Sequence, residues 1–128
     1  MAVTGTIVET LTTQPEGLKK LSLVFKTESG GTTVGEIPTT LFDGGEILRI
    51  AYIPTDVPAL ADVTILDVDG KDILMGKGAN WGLTAKDMVP LMGDGSATWG
   101  HVFVLGALEL TIAEGGDAKT GEVIIYWK

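Results

Sequence analysis

Along this chain, apolar residues alternate with polar ones over short stretches, separated by clusters rich in Gly, Pro, Asp and Asn. Residues 18–27, LKKLSLVFKT, place Leu21, Leu23 and Phe25 on one face and Lys20, Ser22 and Lys26 on the other, the period of a half-buried strand. Residues 46–53, EILRIAYI, form the strongest such run, with Ile47, Arg49, Ala51 and Ile53 facing one way and Leu48, Ile50 and Tyr52 the other. Weaker strands are read at residues 2–11, where Val3, Ile7 and Leu11 are apolar, and at 32–37, an edge strand stopped by Pro38. Residues 101–105, 108–112 and 122–127 complete the set. Turn clusters at 14–17, 28–31, 43–45, 54–58, 93–96 and 114–121 punctuate these runs.

The centre of the pattern is 62–80, DVTILDVDGKDILMGKGAN. Asp69-Gly70 between apolar runs predicts a hairpin with a type I′ turn, because both central residues of that turn need positive φ. In that register Val68 faces Lys71, Leu66 faces Ile73 and Ile65 faces Leu74. Asp67 then stands opposite Asp72, a like-charge pair that costs stability unless solvated or bridged. Both faces of the hairpin carry aliphatic side chains, so part of each is expected to be covered. Residues 76–95 lack a clear period, and 84–88 read as one helical turn with Thr84 as its N-cap. No longer helical period occurs. The expectation is a single all-β domain over residues 1–128, an antiparallel β-sandwich or jelly roll of about eight or nine short strands. Its pairings are mostly non-local, which slows folding.

Composition narrows the function more than the fold. A formal net charge of −8 argues against nucleic acid and against anionic membranes as partners. With no cysteine there is no disulfide framework and no thiolate metal site. The amino terminus, MAVTGTIVETLTT, lacks the basic and apolar regions of a signal peptide, and no run approaches the ~18 apolar residues of a membrane span. A soluble product of the cytosol is expected.

Candidate chemistry is thin. Asp67, Asp69 and Asp72 fail the EF-hand pattern, since Lys71 takes the third ligand position and Asp72 the place of the required Gly. Residues 76–82, GKGANWG, have GxGxxxG spacing with no long helix after it, which suits sharp turns at a sheet edge better than a phosphate loop. His101 is the single histidine, and neither Ser22, Ser29 nor Ser96 sits in a GxSxG elbow. No catalytic, cofactor-binding or metal-ligating residues are assigned, and no cofactor is expected. Trp81, Trp99 and Trp127 fit a small core, a subunit contact or a sugar-stacking platform. Trp127 alternates with Ile125 and Val123, which points to core or contact surface.

Residues 46–53, the Pro-containing loop after them, the run 62–80, and then LELTI at 108–112 and GEVIIY at 121–126 together resemble small structural proteins encoded among the head genes of tailed bacteriophages. The likeness covers roughly the last two-thirds of the chain and departs from the pattern in a longer, Trp-richer stretch between Asn80 and His101. It implies a non-enzymatic virion component with a β-sandwich fold, most simply a capsid decoration (cement) protein made in the host cytoplasm. Such a protein would bind the major capsid protein on the outer shell, stabilise capsomer junctions and act as a dimer or trimer. The contact residues expected on that reading are Val3, Ile7, Trp81, Trp99, Tyr126 and Trp127. The alternatives are a tail or head–tail junction protein and a carbohydrate-binding β-sandwich module; a hydrolase centred on His101 is weaker still.

Overall fold

The computed structural model describes residues 5–27, 34–93, 98–114, 116 and 118–128. Among these are eleven strands: β1 (Thr6–Thr13), β2 (Lys19–Lys26), β3 (Val34–Pro38), β4 (Gly45–Pro54), β5 (Asp62–Leu66), β6 (Lys86–Met88), β7 (Leu91–Gly93), β8 (Thr98–His101), β9 (Phe103–Val104), β10 (Glu109–Ala113) and β11 (Thr120–Trp127). A single 3-10 turn, Pro15–Gly17, joins the first two. β6, β7 and β9 are only two or three residues long, which leaves eight strands of four or more.

The expected all-β antiparallel sandwich is what forms. A six-stranded sheet runs β1-β2-β11-β4-β6, with β9 added at the start of β4. A three-stranded sheet, β3-β10-β5, faces it, and β7-β8 form a separate ribbon. Alternation explains which side chains turn inward. Leu21, Leu23 and Phe25 of β2 and Val123, Ile125 and Trp127 of β11 meet Val63, Ile65, Leu110 and Ile112 of the opposite sheet in one continuous core. The last strand lies between β2 and β4, and its pairing with β2 joins residues about as far apart as the chain allows, Lys19 to Trp127.

Three local expectations are corrected. Ile47 lies in the core with Ile50 and Tyr52, not on the face of Arg49, Ala51 and Ile53. The β4–β11 register jumps from Tyr126↔Arg49 to Trp127↔Ile47, so Leu48 is the extra residue of a bulge and resets the alternation. The segment read as a helical turn contains β6, held on β4 by the pairs Ile50↔Met88 and Tyr52↔Lys86. Finally, the central turn sits one residue early. Gly70 N–H donates to the Asp67 carbonyl and Asp67 N–H to the Lys71 carbonyl, so Val68 and Asp69 are the central residues and Gly70 follows at φ +76°. This is the three-residue hairpin loop that needs Gly in the left-handed position. Leu66 therefore bridges Asp72 instead of Ile73.

The returning limb leaves the ladder after Asp72 and continues as consecutive turns over 73–80. It still covers β5, through Ile73 N–H to the Ile65 carbonyl and Val63 N–H to the Gly78 carbonyl. The two aspartates do not face each other. Asp67 accepts from the N–H groups of Asp69 and Lys71, and Asp72 from those of Ile65, Leu74 and Gly76. Backbone donors thus bridge the charge that an in-register pair would have left opposed.

Candidate interaction surface

Four residues at the hairpin end of the molecule, Val68, Met75, Phe103 and Leu105, leave large apolar area in water. β9 and the residues on either side of it carry Val102, Phe103, Val104 and Leu105, of which Val102 and Val104 point into the core. Alternation then forces Phe103 and Leu105 outward, at 69% and 83% exposure. Val68, at the tip of the central turn, packs against this segment so closely that a methyl on Gly106 would sit 2.9 Å from its Cγ1. Met75 and Phe103 line a hollow of about 550 Å³ together with Ile73, Val102, Asp67 and Lys71. Val68 and Met75 are themselves exposed. The aliphatic face of the hairpin that was expected to be covered is left open on this side.

The carboxylates around the hollow are already engaged, since those of Asp67 and Asp72 accept from backbone amides. Among the described residues no three His, Asp or Glu side chains converge as a metal site would need, and no buried side-chain polar atom lacks a partner. Ser22, the described member of the three serines, donates its hydroxyl to Glu122 on the outer face of the large sheet. What this end of the molecule can do is bury apolar area against another surface.

The residues expected to make contacts fall into different places. Trp127 is 0% exposed: its ring packs at 4.7 Å on Phe42, and its Nε1–H donates to Asp43 Oδ1 at 3.1 Å. Trp81 is 5% exposed and tilts against Tyr52 at 5.4 Å. Both are core residues, because a buried ring has no surface left to offer a partner, and a platform of all three tryptophans does not exist. Ile7 is half-buried and packs on the core from the inner face of β1. Tyr126 lies half-buried on the outer face of β11, with the Arg49 guanidinium 5.2 Å from its ring. Trp99 belongs to β8, with its side chain outside the described set, and Val3 lies outside the described residues.

Electrostatics on the two sheet flanks is orderly. Lys19 donates to Asp43 at 2.6 Å, and that bond, with the Trp127 indole N–H, holds the Asp43 carboxyl below the usual carboxylate range. Arg49 makes a two-pronged bond to Asp87 that lowers the carboxyl and raises the guanidinium. Burial pushes the Tyr52 phenol up to about 12, and its hydroxyl donates to the Gly82 carbonyl at 2.6 Å.

Sequence reasoning missed Phe103, Leu105, Val68 and Met75 as surface residues. The available signal was four consecutive apolar residues in a short strand, since a period of two must then expose half of them. No protein-family model matches the chain, and no curated protein does either. Among solved structures, a cupin domain from Bordetella pertussis Tohama I aligns over 100% of this chain and 98% of its own, at 11% identity and a TM-score of 0.36. A likeness that distant carries no conclusion.

Proposed function

We propose that this protein is a non-enzymatic structural component of a bacteriophage virion, a decoration protein that docks on the outer capsid and stabilises junctions between capsomers. The observation that carries the reading is the apolar end formed by Phe103, Leu105, Val68 and Met75, exposed around a hollow whose carboxylates are already satisfied by backbone amides. A contiguous apolar patch of this kind marks a surface meant to be covered by another macromolecule. The resemblance of residues 46–126 to phage head-gene products supplies the partner, the major capsid protein. The net charge of −8 suits a crowded shell that must stay dispersed and not collect nucleic acid from a lysate. In this role the chain works as a homo-oligomer, localised to the virion, with no cofactor.

The test is binding of the purified chain to expanded, undecorated heads of the phage that encodes it, read by co-sedimentation and copy number. Saturation at hundreds of copies per head is expected. Saturation at roughly a dozen, the count of a symmetric junction ring, would move the protein to the head–tail junction. No binding to heads sinks the reading.

A further inference from the structure

The edges of the two main sheets are not treated alike. β6 is short and carries Lys86 and Asp87. β3 ends in Pro38, and its register with β10 shifts between Leu110 and Ile112. β5 is covered by the 73–80 turns. β1 has none of these protections. It is eight residues long, TIVETLTT, without Pro, Lys or Arg, and pairs with β2 through eight consecutive positions with no shift. Its far side pairs with no strand among the described residues. Its one charge, Glu9, is turned aside: the carboxylate accepts from Thr40 N–H at 2.9 Å, Thr40 Oγ1 at 2.6 Å and Leu41 N–H at 3.3 Å. A long, flat, nearly uncharged edge is a template for another strand.

The hydrogen-bonding phase of that edge follows from its neighbours. Gln14 N–H donates to the Leu18 carbonyl in continuation of the β1–β2 register. Amides of Val8, Thr10 and Thr12 therefore turn toward β2, and those of Ile7, Glu9 and Leu11 turn outward. The side chains of Val8 and its partner Val24 lie on the outer face, exposed at 64% and 46%.

We infer that the partner of this edge is a second copy of the same edge, paired antiparallel about a twofold axis through Val8. Centring the pair on Glu9 would set two carboxylates directly opposite, and centring it on Thr10 would leave Val8 against Thr12. With the axis at Val8, the outward amides of Ile7 meet those of Glu9 in the second copy. Each carboxylate then faces an isoleucine, so no like charges oppose. On the outer face Val24, Val8 and their two counterparts join into one apolar stripe across a continuous twelve-stranded sheet, twice the six strands of one copy. The interface is isologous, as a closed dimer requires. The inference rests on the reading above only in taking the chain to act through its surfaces. Its test needs no capsid, so either can fail alone.

Because the chain has no cysteine, a single substitution reports the register. Val8 and its counterpart form a non-hydrogen-bonded pair with Cα atoms about 4.5 Å apart, inside the range of a disulfide. The wild-type chain should sediment as a dimer at about 50 μM. Under mild oxidation Val8→Cys should become a covalent dimer, while Glu9→Cys and Thr10→Cys stay uncross-linked. Val8→Lys, at an exposed position, should keep the circular dichroism of the wild type and weaken self-association about tenfold or more. A monomeric wild type, cross-linking at Thr10→Cys in place of Val8→Cys, or a Val8→Lys dimer of unchanged affinity overturns the inference.

Discussion

Tyr52 carries the clearest titration consequence at the scale of single residues. Its phenol is buried and its pKa stands at about 12, above the ordinary value of 10. A group raised in the folded state contributes stability that is complete below the unfolded pKa and lost as pH rises through the folded one. Urea midpoints should therefore fall between pH 10 and 12, and Tyr52→Phe should flatten that decline. At pH 7 the same substitution should cost about 1–2 kcal/mol, because the Gly82 carbonyl loses its donor in a dry site. Asp43 works with the opposite sign. Lys19 and the Trp127 indole depress its pKa, so its contribution is present above pH 4 and fades as pH falls through the lowered value. Asp43→Ala should cost about 1 kcal/mol at pH 7, mainly through the indole N–H, with the exposed ion pair adding little. The gap between mutant and wild type in denaturant midpoint should narrow at pH 3.

Among elements, those with a clean period were readable from sequence and those governed by geometry were not. β2 and β11 bury the residues that alternation selects, Leu21, Leu23 and Phe25 in one and Val123, Ile125 and Trp127 in the other. Ile47 was misplaced because a single extra residue, Leu48, reverses every face beyond it, and nothing in EILRIAYI marks a bulge. The central turn was displaced because Asp-Gly serves two loop types that differ by one position. β6 escaped because a three-residue strand with two charges has no period to detect. The glycines after the hairpin were legible as turns, but not which of them is irreplaceable. A Cβ on Gly78 would meet the Val63 carbonyl oxygen at 1.9 Å, whereas at Gly70 nothing lies within 4 Å. Gly78→Ala should cost about 3 kcal/mol or more by prising the turn segment off β5. Gly70→Ala should cost only about 1 kcal/mol, the penalty of a left-handed Ala. Thermal melts of the two variants decide between steric approach and turn strain.

For the whole molecule, the exposed apolar surface was the least legible part. Tryptophan is enriched both in cores and at interfaces, so composition alone could not place Trp81 and Trp127. The structure buries both, and the exposed apolar end is built instead from residues distant in sequence, Val68 and Met75 on one side and Phe103 and Leu105 on the other. Only the fold brings them together. Phe103→Ser with Leu105→Ser should leave the melting temperature within a few degrees of the wild type, since both side chains already lie in water. The same pair should abolish head binding in the sedimentation assay. Loss of binding together with loss of stability would instead place the two side chains in the protein's own packing.

The position of β11 has a further consequence for how the protein is made. The strand that synthesis delivers late, Thr120–Trp127, is the one that welds β2 to β4. While Trp127 is still inside the ribosomal tunnel, the amino-terminal hairpin and the rest of the large sheet are two unjoined pieces with raw flanks. A nascent chain stalled before Thr120 therefore lacks the strand that joins β2 to β4 and should be cut readily by protease, where a chain that carries Thr120–Trp127 resists.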